Sequence, residues 1–269
     1  MTNPASAESW VDREFDATSG LFTRQRHGES PPVVCLHGFT QTGRSWSQVA
    51  DRLGHGVETY CPDAPGHGLS GRCRLDITHY ADALASSLPP SIFVGYSMGG
   101  RTALHVAIRH PASTLGLLLV GATPGLSDSI ERNARRESDD RLADRLESMD
   151  IDDFLEEWLG QPLFSTLSRD DWDLADRRRN DVHGLAPSLR TAGTGVQESL
   201  WDLLSEITCP VVLVTGERDK KFEAIAERMS HLLGGPIEHV RVPRRGHAVH
   251  IEDPHVVADL IGDLRRRVA

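Results

Sequence analysis

The sequence is short of cysteine, of basic charge and of long apolar runs. Its four cysteines, Cys35, Cys61, Cys73 and Cys209, are scattered with no C-x-x-C pair. That spacing makes no cysteine zinc site and suits a reduced protein. Twenty-nine Lys and Arg face thirty-nine Asp and Glu, a net charge of −10. Such a balance repels phosphate backbones, so nucleic acid is not an expected partner. No apolar stretch approaches the roughly 20 residues needed to cross a bilayer. The opening M-T-N-P-A-S-A-E-S-W has no basic region followed by an apolar one. No secretory signal is therefore expected, and the cytoplasm is the expected location. Internal repeats and low-complexity segments are missing too.

What is present is a chain of 269 residues, 39% hydrophobic and 25% charged. That is enough apolar matter for a sizeable core and too much for general disorder. The first thirty residues are polar and read as a ragged strand pair. Beyond them, short apolar runs alternate with helical spacing. V-V-C-L (33–36), V-E-T-Y-C-P-D (57–63), S-I-F-V-G-Y (91–96), L-G-L-L-L-V-G (115–121) and C-P-V-V-L-V-T-G (209–216) read as strands, with a weaker one at 237–242. Helices are expected at 46–53, 80–88, 99–110 and 254–268. Continuous apolar strands alternating with helices predict an α/β fold, a mostly parallel sheet covered on both faces. The stretch from about 125 to 205 breaks the rhythm with many charges and with aromatics at helical spacing. It reads as helices inserted between two strands, a lid on a single domain spanning 1–269.

The sharpest local signal is G-Y-S-M-G-G (95–100), directly after an apolar strand and before a helix. This is the setting of a nucleophile elbow. Gly95 and Gly99 leave room where side chains would clash, and Ser97 is held at the turn near a helix N-terminus. An ordinary glycine-rich turn would share the pattern, so partners decide. A reactive serine needs a histidine, and the histidine needs an acid to orient it. Asp219 follows strand 209–216 and His247 follows the next strand, giving the order Ser, Asp, His. His239 and His250 are the competing histidines. H-G-F (37–39) follows the strand 33–36, so the N–H groups of Phe39 and Met98 are candidate oxyanion donors. His37 and the G-H-G turn (66–68) read as structural.

Together, L-H-G-F, D-x-P-G-H-G-x-S, G-Y-S-M-G-G-R, G-E-R-D-x-K-F and G-H-x-x-H-x-E-x-P resemble the α/β-hydrolase superfamily from about residue 33 onward. G-Y-S-M-G-G-R, W-L-G-Q-P-L-F (158–164) and H-G-L-A-x-S-L-R-x-x-G-T-G (183–195) resemble a narrower family. That family is the 2-succinyl-6-hydroxy-2,4-cyclohexadiene-1-carboxylate synthases of menaquinone biosynthesis. The resemblance implies a lyase that eliminates pyruvate from an enolpyruvyl precursor with three carboxylates. Its triad removes a proton and is not acylated, with no metal and no cofactor. It also implies substrate contacts for Tyr96, Arg101, Arg135, Trp158, Phe164, Arg179 and Lys221. Among Arg177, Arg178 and Arg179, Arg179 is the expected inward residue. T-P-G-L (123–126) departs from the pattern, because some relatives have a longer glycine- and histidine-containing stretch there.

Arg101 tests the narrower resemblance. It sits in the first turn of the helix after Ser97, where a cation opposes the helix dipole. Its presence suggests an anionic substrate; the plainer alternative is a surface arginine paired with an acid of the lid. Trp158 and Phe164 have a plain alternative too, as lid core. The expected ligand is a small molecule with several carboxylates, and the oligomeric state is left open. Two other functions fit the motifs. A serine esterase or carbon–carbon hydrolase would use Ser97 as a true nucleophile, and a silent receptor would have no need of a full triad.

Overall fold

The computed structural model describes residues 10–269. Of the expected N-terminal strand pair, residues 1–9 lie outside the described residues. Eight strands form one sheet: β1 (Val11–Asp16), β2 (Leu21–Arg26), β3 (Glu29–Leu36), β4 (Val57–Pro62), β5 (Ser91–Tyr96), β6 (Thr114–Val120), β7 (Val211–Gly216) and β8 (Ile237–Val242). Their order is β1-β2-β4-β3-β5-β6-β7-β8. β1 pairs antiparallel with β2, and β2 with β4; every pairing from β4 through β8 is parallel.

Among the described residues, ten α-helices accompany the sheet. In chain order they are α1 (Ser47–Leu53), α2 (Ile77–Ser87), α3 (Met98–Arg109), α4 (Ser129–Leu146), α5 (Ile151–Leu159), α6 (Leu174–Arg177), α7 (Val182–Ala192), α8 (Lys220–Ser230), α9 (Val249–Glu252) and α10 (Pro254–Val268). The central strands are apolar on both sides because both faces are covered. Val34, Leu36, Phe93, Leu117, Leu119 and Leu213 pack with α2, α3 and α8. Their chain neighbours Val33, Cys35, Ile92, Val94, Leu118, Val120, Val212 and Val214 pack with α1 and α10. Successive side chains of a strand point to opposite faces, so a single strand feeds both cores.

Helices α4 to α7 lie between β6 and β7 in the chain. They bury a small core of their own, Ala143, Leu146, Phe154, Leu155, Leu185, Ala186 and Leu189, against which Phe39 and Trp158 pack. Helix starts in this insertion are capped by acids. Asp128, Asp150 and Asp181 each accept a backbone N–H of the first turn. Such caps stabilise by about 1 kcal/mol each, which helps explain helix formation in a segment this polar.

The turn from β5 into α3 positions the site. Ser97 has φ 50° and ψ −105°, a sparsely populated backbone conformation for a residue with a side chain. The strain persists because the neighbouring backbones are in contact. A Cβ on Gly95 would lie 2.5 Å from the Gly99 carbonyl oxygen, and one on Gly99 would lie 2.1 Å from that of Leu36. Gly99→Ala is therefore expected to lose at least about 1–3 kcal/mol, the usual cost of overpacking. Urea unfolding of the variant beside wild type measures this, and an unchanged midpoint would remove the close-packing account of the elbow.

Candidate active site

Ser97 leads α3, whose first N–H groups lack intrahelical partners. Asp219 closes the loop after β7 and caps α8 through its Oδ1, which accepts the Phe222 N–H at 3.3 Å. Its other oxygen, Oδ2, lies 2.6 Å from His247 Nδ1. That contact leaves His247 Nε2, buried and without a hydrogen-bond partner, for chemistry. Ser97 and His247 line one cavity of about 680 Å³. The competing histidines are engaged elsewhere. His239 Nε2 meets Thr215 Oγ1 at 2.9 Å. His250 is stacked 4.2 Å from Tyr96, with its Nε2 3.2 Å from the Gln41 amide.

Among the described residues, no protein acceptor takes the N–H of Phe39 or Met98, while Gly38 N–H is held by Gln41 Oε1 at 3.0 Å. Both Phe39 and Met98 line the cavity. His37 supports this loop as a neutral imidazole. Its Nδ1 lies 2.8 Å from Gly38 O, and its Nε2 accepts the Ala64 N–H at 2.9 Å. Burial pushes the His37 pKa down to about 4. Burial and neighbouring His37 push that of His67 down to about 3.

The cavity also brings together Tyr96, Arg101, Arg135, Trp158, Phe164 and Lys221. Trp158 stands 5.1 Å from Phe39 and 6.0 Å from Phe164, centroid to centroid. Its indole N–H is buried with no acceptor. Arg135 is half-buried and bonded to Asp139 at 2.8 Å. Lys221 is exposed at the rim. Arg101 is not a surface residue: only 6% of it is exposed. It donates to Gln197 Oε1 at 2.9 Å and to the Ala192 carbonyl at 2.7 Å, both neutral groups. Burial, with Arg135's charge nearby, pulls its pKa down to about 10 against the opposing pull of Asp139, an acid bonded to Arg135, so Arg101 stays cationic at neutral pH.

The choice among the three consecutive arginines is corrected by the structure. Arg179 is exposed and away from this cavity, lining a second cavity of about 540 Å³. Arg178 is exposed and paired with Asp152. Arg177 is the buried one, 3% exposed, donating to the Trp172 carbonyl at 2.7 Å and to Thr40 Oγ1, and it too lines the second cavity and not the one that holds Ser97. The reason is the end of α6. Arg177 is the last residue of that four-residue helix and is buried with Asp176, whereas Arg178 and Arg179 lie past its end and are exposed. Gln197, Asp139, Thr40 and Asn180 were not singled out from sequence. Gln197, Thr40 and Asn180 become meaningful only through partners far along the chain, and Asp139 through its bond to Arg135 beside the cavity.

A family model described as the alpha/beta hydrolase family matches residues 33–260. A relative from Bacillus subtilis is 36% identical, over 87% of this chain and 90% of its own length. The 2-succinyl-6-hydroxy-2,4-cyclohexadiene-1-carboxylate synthases of Citrobacter koseri and Enterobacter sp. are each 34% identical. They match over 88% of this chain and over 94% and 92% of their own. Among solved structures, MenH from S. aureus superposes with a TM-score of 0.85 at 28% identity, over 93% of this chain and 98% of that one. A thermophilic esterase from Thermogutta terrifontis, bound to malate, superposes at 0.77 with 21% identity over 97% and 99%, a likeness of fold alone.

Buried neutral histidines make stability depend on pH. Another is His105 in α3, whose pKa is brought down to about 4 by burial and then by Arg101 and Arg109. Above about pH 6.5 neither the folded nor the unfolded chain protonates these rings. As pH falls from there toward 4, the unfolded chain binds protons that the folded chain refuses, and stability is lost. Urea midpoints should drop between pH 7.5 and 5. In His105→Leu the decline should be shallower by up to about 1.4 kcal/mol per pH unit, one proton's worth. An unaltered slope would mean that His105 is not excluded from protonation in the fold.

Proposed function

The chain belongs to the alpha/beta hydrolase family, and within it to the 2-succinyl-6-hydroxy-2,4-cyclohexadiene-1-carboxylate synthases; from that membership we propose a lyase mechanism for its site. The reaction eliminates pyruvate from 2-succinyl-5-enolpyruvyl-6-hydroxy-3-cyclohexene-1-carboxylate and leaves 2-succinyl-6-hydroxy-2,4-cyclohexadiene-1-carboxylate. Asp219 holds His247 through Nδ1, and His247 Nε2 takes the proton of Ser97. The Ser97 alkoxide removes the proton α to the succinyl carbonyl. Negative charge moves onto that carbonyl oxygen, where the free N–H groups of Phe39 and Met98 meet it. The carbon–oxygen bond to the enolpyruvyl group then breaks, and the departing group takes up a proton as pyruvate. Every proton in this scheme moves between substrate and side chains, so it calls on no metal or cofactor.

One observation carries the reading: Arg101 is a buried cation in the cavity with only neutral partners. A buried charge is costly, and Asp139, the acid that acts on it through space, is bonded to Arg135, so a substrate carboxylate would supply a directly bonded partner. Arg135 and Lys221 add positive charge to the same cavity, and Tyr96, Trp158 and Phe164 give it apolar walls. The helices of 125–205 serve as the lid. The substrate is a small molecule with several carboxylates, nucleic acid is not a partner, and the work is done in the cytoplasm. Among the described residues, no helix is long and apolar enough to cross a membrane.

Purified enzyme supplied with the enolpyruvyl cyclohexene should release pyruvate, read with a coupled dehydrogenase. Ser97→Ala and His247→Ala should each lose at least about 10³-fold, and the double variant should be scarcely worse, because the pair acts as a unit. Rapid quenching and mass spectrometry should find no acyl adduct on Ser97. An adduct with no pyruvate would favour the esterase or carbon–carbon hydrolase reading.

Arg101→Ala should weaken transition-state binding by about 2–4 kcal/mol in kcat/KM, the cost of stripping one partner from a desolvated charge pair. Arg101→Lys should restore only part, since an ammonium lacks the planar two-point contact. A small neutral ester should be nearly indifferent to both changes. Equal losses on the charged and neutral substrates would make Arg101 structural and remove the anionic-substrate argument.

A further inference from the structure

Thr40, the residue after the candidate oxyanion donor Phe39, has φ 69°. A β-branched residue is a genuine outlier there, and such strain persists only where the surroundings hold it, at a cost of order 1–3 kcal/mol. The groups that hold it come from the insertion, more than 130 residues along the chain. Asn180 Nδ2 donates to the Thr40 carbonyl at 2.7 Å and to the Arg177 carbonyl at 3.0 Å. Its Oδ1 accepts the Gly68 N–H at 2.9 Å. Arg177 donates to Thr40 Oγ1. Asp176 accepts the Thr42 N–H at 3.2 Å and the Thr42 hydroxyl at 2.5 Å. Asn180 is 6% exposed and Arg177 3%, so water does not compete freely for these bonds.

We propose that Asn180, backed by Asp176 and Arg177, is a positioning residue for the reaction: it clamps Thr40 in its strained conformation and so keeps the Phe39 N–H aimed at the developing oxyanion. The insertion thereby helps to set the oxyanion loop as well as covering the cavity. The inference rests on the mechanism proposed above, in which Phe39 is a donor. It adds a group that touches neither substrate nor Ser97. Asn180's amide suits the task, since one planar group ties the oxyanion loop to the 66–68 turn and to the end of α6. Asparagine has both donors and an acceptor to do this, whereas aspartate keeps only the acceptor and alanine neither.

The test uses full-length Asn180→Ala and Asn180→Asp, the second nearly isosteric and still able to accept from Gly68. Pyruvate release is measured per folded molecule, alongside hydrogen exchange of the segment 36–46. Both variants should lose about 10- to 100-fold in kcat, the scale of a mis-set oxyanion donor. KM should move by less than about two-fold, and exchange at Gln41 and Thr42 should accelerate. Adding Thr40→Gly to Asn180→Ala should recover part of kcat, because glycine holds φ 69° without a clamp. A folded Asn180→Asp with wild-type kcat overturns the proposal, and so does unchanged exchange in this segment. If Asn180→Ala fails to fold, Asn180→Asp alone decides. If wild type releases no pyruvate, the functional reading fails, and the exchange rates by themselves uphold or overturn the clamp.

Discussion

The chain passes from β5 into α3 through one residue, Ser97, and this turn works only where backbones meet with no side chain between them. Gly95 presses on the start of α3, and Gly99 presses on the end of β3. β3 ends where the His37–Phe39 loop begins, so the same contact that strains Ser97 also sets the distance to the candidate oxyanion donors. The parallel sheet brings the β7 and β8 loops to this same end, where Asp219 reaches His247 at 2.6 Å. Backbone strain at the serine, an oriented histidine and unsatisfied N–H groups are thus consequences of one sheet edge.

The second organising element is charge. The chain is acidic overall, at −10, and most of the insertion's arginines are spent on acids at its surface, such as Arg190 on Asp144 and Glu147. Exposed pairs of this kind contribute little to stability. Arg101 differs because it is buried and answered only by an amide oxygen and a backbone carbonyl. The fold accepts that cost next to the serine, a sign that the cavity is arranged for a negatively charged occupant. In the proposed reaction, a local cationic cavity in an acidic protein would admit a multiply charged anion by local geometry and not by overall attraction.

Sequence periodicity was enough to place β5, β8 and α10 at their observed bounds, because buried strands and an amphipathic helix write their packing into local pattern. Ser97, Asp219 and His247 could be read as a candidate triad because each stands in a short loop just after a strand or its turn. The three arginines at 177–179 could not be resolved in this way. They follow one another in chain order, and which one turns inward depends on where a four-residue helix stops and what lies beneath it. Arg101's burial was hidden for a similar reason, since Gln197 and Ala192 reach it from the far end of the insertion.

The sequence by itself determined the alternation of strand and helix, the apolar character of both sheet faces, and the glycine-flanked serine with its histidine and acid in order. These are properties of residues close together in the chain, where side-chain period and backbone freedom act directly. Only the tertiary structure decided that Arg101 is a buried cation hydrogen-bonded to neutral groups alone, that Arg177 and not Arg179 is buried, and that Asn180 bonds to Thr40. Each of those depends on hydrogen bonds between segments roughly 90 to 140 residues apart. A polar side chain's role follows from the partner that burial forces upon it, and no local pattern names that partner.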